Sequence, residues 1–228
     1  MSADPTAATG TMAKTFYVSF HKVGTTSIRK FFLAAGFTTC QGPHHVDGVD
    51  YMEKVGAVDH DPVRVVDALA PVIERFEAHC GVPYPGLFPV LAERYPEARF
   101  ILMTRNLDNW WNSIRIHWSL WLLDHALTPF EYVQYRPYLG NGKRVVSLKD
   151  KDLLIDAHRR HNEEVQRRLE PHRLLVCRLD DPHKAEKLAD FLGLPHVVPY
   201  PHAKKTGFAR HRHRLLKNVK TRLAARLR

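Results

Sequence analysis

Apolar residues fall in short continuous runs separated by stretches of helical periodicity, the alternation expected of a parallel sheet covered by helices on both faces. Residues 15–20 form one apolar, β-prone run. Phe100-Ile101-Leu102-Met103, inside residues 99–104, forms a second, and Leu174-Leu175-Val176-Cys177 a third. Residues 25–35 read as a helix stopped by Gly36. Asp61-Pro62 is a helix-start signal, and Val65, Val66, Leu69, Val72, Ile73 and Phe76 carry an apolar stripe on to about His79. Residues 87–95 include a short helix. Residues 107–124 read as a helix that holds all four tryptophans, residues 148–169 as a long polar helix, and residues 183–192 as a helix closed by Gly193. Residues 37–61 are rich in Gly, His and Asp, and read as a loop region with room for one short element. The pattern predicts one domain, a three-layer α/β/α sandwich with a mostly parallel central sheet, and no internal repeat.

Composition narrows the class. The chain has 228 residues, 44% apolar and 25% charged, ordinary values for a globular protein with a real core. No apolar run approaches the roughly 18 residues that span a bilayer. Residues 1–13 are small and polar and read as a disordered leader, residues 14–207 as the domain, and residues 208–228 as a basic amphipathic helix. Cys40, Cys80 and Cys177 are odd in number and lack CxxC spacing. Neither a disulfide framework nor a metal site is expected, and a reducing, cytoplasmic location is.

The net charge of +10 is local. Ten of the 34 basic side chains lie in residues 204–228, which contain no acid; the other 24 balance the 24 acidic ones. Leu215, Leu216, Val219, Leu223 and Leu227 form a stripe on that tail. It reads either as a docked helix with a solvated face or as a surface for an anionic membrane or polyanion. No recognition motif accompanies the charge, so no specific nucleic-acid partner is expected.

The segment from Phe16 to Ile28 carries the chemistry: a strand, a tight loop His21-Lys22-Val23-Gly24, and a helix opening on Thr25-Thr26-Ser27. Helix-start N–H groups lack intrahelical acceptors and point at a docked anion. Gly24 lets the backbone approach that anion, and Lys22 adds a mobile charge. The same hydroxyl residues also make an ordinary helix N-cap, and this segment alone leaves both readings open. A Walker loop is excluded, since its lysine follows the second glycine, whereas Lys22 precedes the only one.

A second set follows the run 99–104. Arg105 ends that run and Ser113 lies eight residues on, two turns into the next helix. A guanidinium fork and a hydroxyl presented together suit a second phosphate. Lys22-Val23-Gly24-Thr25-Thr26-Ser27, with Arg105, Ser113 and the Arg-Asn-Leu-Asp-Asn-Trp-Trp stretch, resembles the sulfotransferase family that uses 3′-phosphoadenosine-5′-phosphosulfate. The likeness extends over about residues 14–207, through His161 to Val165, Arg173 to Val176, Leu188 to Gly193 and Pro199 to His202. It is strongest to a prokaryote-type subgroup with a P-loop-like fold.

The resemblance implies in-line transfer of a sulfuryl group to an acceptor hydroxyl or amine, without a metal. Lys22 would stabilise the leaving phosphate; Gly24, Thr25, Thr26 and Ser27 would hold the 5′-phosphate. Arg105 and Ser113 would hold the 3′-phosphate, with Lys204, Lys205 and Gly207 closing over it. A base should deprotonate the acceptor, and His44 and His45 lie where some relatives place one, with Asp59, His60 and His79 as rivals. Two positions depart from the family. His21 replaces a frequent proline, where it should mainly shape the loop, and Gly81 stands where some relatives carry an acid before Val82-Pro83. The acceptor remains open among carbohydrates, lipids, phenols and peptides. Its pocket is expected from variable loops at residues 37–61, 79–90 and 125–145, with Tyr84, Trp118, Tyr132 and Tyr135 as aromatic lining or as core. Two other functions stay in play: a P-loop small-molecule kinase, opposed by the lysine position, and a catalytically silent nucleotide-binding protein.

Overall fold

The computed structural model describes residues 13–120, 122–140 and 142–201. In chain order the elements are β1 (Thr15–Tyr17), α1 (Thr25–Ala34), β2 (Thr39–Gln41), β3 (His45–Val46), β4 (Val49–Asp50), α2 (Tyr51–Ala57) and α3 (Pro62–Arg75). Then come β5 (Ala78–Cys80), α4 (Tyr84–Arg94), β6 (Arg99–Thr104), α5 (Leu107–His117), β7 (His125–Ala126) and α6 (Pro129–Leu139). β8 (Val145–Val146), α7 (Lys151–Arg168), β9 (Leu174–Arg178) and α8 (Lys184–Leu192) complete the described chain.

The central sheet has the order β2-β5-β1-β6-β9, and every pairing in it is parallel. β3–β4 and β7–β8 are small antiparallel hairpins. Side chains alternate across the sheet with period two. Phe16, Val18, Phe100 and Leu102 enter one apolar cluster with Leu69 of α3 and Leu87 and Leu91 of α4. Tyr17, Ile101 and Met103 enter the other, with Phe31 and Phe32 of α1, Trp110 of α5 and Leu188 of α8. This is the expected three-layer α/β/α sandwich.

The chain leaves β1 for one side of the sheet and returns to its other side at β6, so the strand order reverses between them. In such sheets the ligand crevice lies beyond the carboxyl ends of the strands at that reversal. The register Tyr17↔Ile101 sets the two ends side by side. The main chain continues the contact, with Val18 N–H donating to Ile101 O (3.0 Å) and Met103 N–H to Ser19 Oγ (2.7 Å).

Several sequence expectations are corrected. The helix expected to reach His79 ends at Arg75, and Ala78–Cys80 forms β5 between β1 and β2. The helix expected over residues 107–124 ends at His117. Residues 37–61 contain strand β2 and helix α2, and residues 125–145, expected as loop, contain the buried helix α6. Tyr84 belongs to the core, fully buried beside Phe16. Cys40, Cys80 and Cys177 are free and buried. No helix among the described residues is long and apolar enough to cross a membrane.

Candidate active site at the carboxyl ends of β1 and β6

Gly24 is the N-cap residue of α1, and no side chain caps the helix. That decides against the ordinary N-cap: the hydroxyls of Thr25, Thr26 and Ser27 sit inside the first turn instead. Thr25 Oγ1 is buried with no hydrogen-bond partner. A buried hydroxyl without a partner costs about 1–3 kcal/mol unless a ligand satisfies it.

The loop before the helix is held by its carbonyls. His161 Nε2 donates to Val18 O (2.7 Å), Trp110 Nε1 to His21 O (3.1 Å), and Arg105 to Lys22 O (2.8 Å). Tyr17 donates its hydroxyl to Val23 O, and Gly24 O accepts from Ser27 and Ile28. A peptide unit is planar, with its N–H opposite its C=O. Pinning the carbonyls of residues 21–24 therefore sets the N–H groups of Lys22, Val23, Gly24 and Thr25 on the opposite edges of their planes. Lys22 (φ 70°) and Gly24 (φ 87°) adopt left-handed conformations, the backbone of an anion-binding nest. At Gly24 the φ of 87° strains any L side chain, and a Cβ would also press on Leu179 Cδ1 (2.7 Å) and Tyr200 Oη (3.2 Å).

Arg105 is half-buried, and burial alone lowers its pKa. No carboxylate pairs with it among the described residues; its hydrogen bond goes to Lys22 O. A guanidinium drawn from water without a counter-ion is a ready partner for a phosphate. Ser113 is 7% exposed and lies one turn beyond Trp110 on the same face of α5. The second anion grip is thus bonded to the backbone of the first.

The remaining candidates separate by position. Gln41 ends β2 and Gly42 follows it at this end, and His44 packs its ring 5.2 Å from that of Phe130, at the start of α6. His44 and His45 are both exposed. Partial burial lowers the His44 pKa, with His45 adding to the lowering. His79 is fully buried in the core, stacked on Phe16, and His60 is buried against Tyr132. Gly81 has φ +82°, and a Cβ there would lie 3.3 Å from Thr25 Cγ2, so a side chain at this position would be strained and would press on the cradle. Lys204, Lys205 and Gly207, and the tail expected over residues 208–228, lie outside the described residues. Among those described, no group of three His, Cys, Asp or Glu is placed to hold a metal ion. A cavity of ≈ 420 Å³ between Phe88, Ala92, Arg168 and Arg173 opens at the amino ends of β6 and β9, away from the cradle.

The family model for the sulfotransferase domain matches residues 14–208. The chain belongs to the sulfotransferase domain family. Among solved structures, a sulfotransferase from Alicyclobacillus acidocaldarius is similar at 16% identity and a TM-score of 0.48, the match covering 89% of each chain. No curated protein matches the sequence. Within this sulfotransferase domain, sequence reasoning missed Tyr17, Trp110 and His161, which hold the cradle loop by its carbonyls. Their buried polar atoms mark them only once the fold is known.

Proposed function

We propose that the chain transfers a sulfuryl group from 3′-phosphoadenosine-5′-phosphosulfate to a hydroxyl or amine acceptor. The observation that carries this reading is the pair of anion grips joined at the strand-order reversal, the cradle after β1 and Arg105 after β6, bonded at 2.8 Å. The unpartnered Thr25 hydroxyl and the uncompensated guanidinium fit a ligand with two separated phosphates. When bound, the donor supplies an activated sulfuryl group on a 5′-phosphate leaving group, with the 3′-phosphate as a handle.

Gly24, Thr25, Thr26 and Ser27 hold the 5′-phosphate through backbone N–H groups and hydroxyls. Lys22 neutralises the charge that develops on the leaving oxygen, which is the main electrostatic contribution to such a transfer. Arg105 and Ser113 fix the 3′-phosphate and so align the sulfuryl group with the acceptor. Tyr200, near the end of the described chain, lies against Gly24, and the role of Lys204, Lys205 and Gly207 over the nucleotide rests on their following it closely in sequence. His44 and His45 are the bases offered by chain position. The free cysteines favour a cytoplasmic location.

Transfer of labelled sulfate from the donor to a panel of phenol, sugar, lipid and peptide acceptors tests the reading. Labelled product with wild type and at least about 100-fold less with Lys22→Ala is expected. Equal labelling by both proteins would overturn it.

A further inference from the structure

His21 does more than shape the loop. Its Nδ1 lies 3.1 Å from the side-chain amide nitrogen of Gln134 on α6. The rings of His117, Trp118 and Tyr135 surround its imidazole, with centroids at 6.0, 5.0 and 5.6 Å. His21 Nε2 and Gln134 Oε1 are buried without partners, and the buried Tyr135 hydroxyl has only the Gln134 side chain beside it. Gln134 and Tyr135 are themselves fully buried. Buried polar groups are nearly always satisfied, so the unpartnered Nε2 of the residue before Lys22, with the Tyr135 hydroxyl in the same buried group, marks a place where a ligand's polar group belongs. His44 and His45 are exposed and show no comparable set.

Resting on the sulfuryl-transfer reading, we propose that His21 is the general base, its Nε2 taking the proton of the acceptor hydroxyl while Gln134 fixes the tautomer and Tyr135 steadies the acceptor oxygen. The required tautomer follows when the Gln134 amide is turned so that Oε1 accepts from Nδ1–H, which leaves a lone pair on Nε2; the two amide orientations fill the same space. In the step, an acceptor-oxygen lone pair forms the new O–S bond as the bond from sulfur to the phosphate oxygen breaks. That bonding pair leaves on the 5′-phosphate beside Lys22. The acceptor's proton goes to Nε2, which returns it to water afterwards.

The charged and titratable groups facing the imidazole are Lys22 of its own loop, His117 of α5, His125 of β7, Glu131 and Tyr135 of α6, and His158 of α7. Burial lowers the His21 pKa to about 4; Glu131 opposes the lowering, while Lys22 and His125 add to it. The imidazole is therefore neutral at pH 7. An anion held by Lys22 offsets that cation and raises the basicity of His21 when the donor is in place.

Two measurements test the proposal, both with adenosine 3′,5′-bisphosphate affinity as the control. In nitrogen-15 NMR, the histidine signals missing from His21→Gln identify the ring. The expected result is a neutral ring at pH 7, protonated on Nδ1, with a pKa that rises on adding the bisphosphate. A proton on Nε2, or a cationic ring at pH 7, overturns the proposal. In the second, release of labelled sulfate from the donor, with water as acceptor, is compared across variants. His21→Gln should slow release by about 100-fold and leave bisphosphate affinity within about twofold. Gln134→Met, which keeps the imidazole, should show a smaller loss. Wild-type release rates in His21→Gln, with bisphosphate still bound, overturn the role of His21 alone. Failure of the wild type to bind the bisphosphate overturns the sulfuryl-transfer reading beneath it.

Discussion

His79, His158 and His161 are fully buried, and burial is the first cause of their low pKa values, about 3, 3 and 4. His161 Nε2 donates to Val18 O and His79 Nε2 to Phe76 O, while both nitrogens of His158 lack partners as its ring stacks on Trp110. In the unfolded chain each would titrate near 6.5. A folded pKa below the unfolded one gives stability that is fully present above about pH 6.5 and is lost as pH falls toward the folded value. At pH 5 each unfolded imidazole gains about 2 kcal/mol from proton binding and each folded one almost none. The three together remove about 6 kcal/mol, and the result depends little on the folded values, which all lie well below 5. That loss is comparable to the whole stability of a typical domain, roughly 5–15 kcal/mol. Urea unfolding followed by tryptophan fluorescence at pH 7.5, 6.0, 5.5 and 5.0 reads it directly. The slope below pH 5.5 should be about 4 kcal/mol per pH unit from these three, and about 5 with His21, which burial also holds low. His158→Phe should flatten the profile by about a quarter. A stability change under about 2 kcal/mol between pH 7.5 and 5 would refute the claim that these histidines are held neutral by burial.

Three other outcomes follow from the site. Lys22→Ala should lower sulfuryl transfer at least about 100-fold while weakening bisphosphate binding far less, read by single-turnover kinetics and calorimetry. Gly24→Ala forces an L side chain into φ 87° and against Leu179, and should destabilise the fold by about 2–4 kcal/mol in urea and weaken bisphosphate binding. Arg105→Gln should weaken bisphosphate binding by roughly 10- to 100-fold and Ser113→Ala by about fivefold, with an unchanged pH–stability profile.

The two central strands that frame the site were legible because each is covered on both faces and so reads as one continuous apolar run. β5 was not. Ala78-His79-Cys80 is short, contains a histidine, and follows a helical stripe that runs to Phe76; only its place between β1 and β2 makes it a strand. α6 was hidden by its buried polar residues Glu131 and Gln134 and its prolines. Its start did leave a signal, the Thr128–Glu131 capping box with Pro129 at the first helical position. The cradle was legible in Lys22, Gly24 and the three hydroxyl residues, since local spacing determines a strand-loop-helix turn. The destination of the His21 side chain was not, because it depends on α6 arriving from more than a hundred residues downstream.

The most direct test of the central claim is the melting temperature with adenosine 3′,5′-bisphosphate set against Mg-ATP. At about 100 times its dissociation constant, a ligand of the folded state adds about 2.7 kcal/mol. For a chain of this size that corresponds to a rise of roughly 5–10 °C. The two anion grips predict that rise with the bisphosphate. No shift with the bisphosphate, together with a shift of that size with Mg-ATP, would contradict the assignment of the cradle and Arg105 to a bisphosphorylated adenosine.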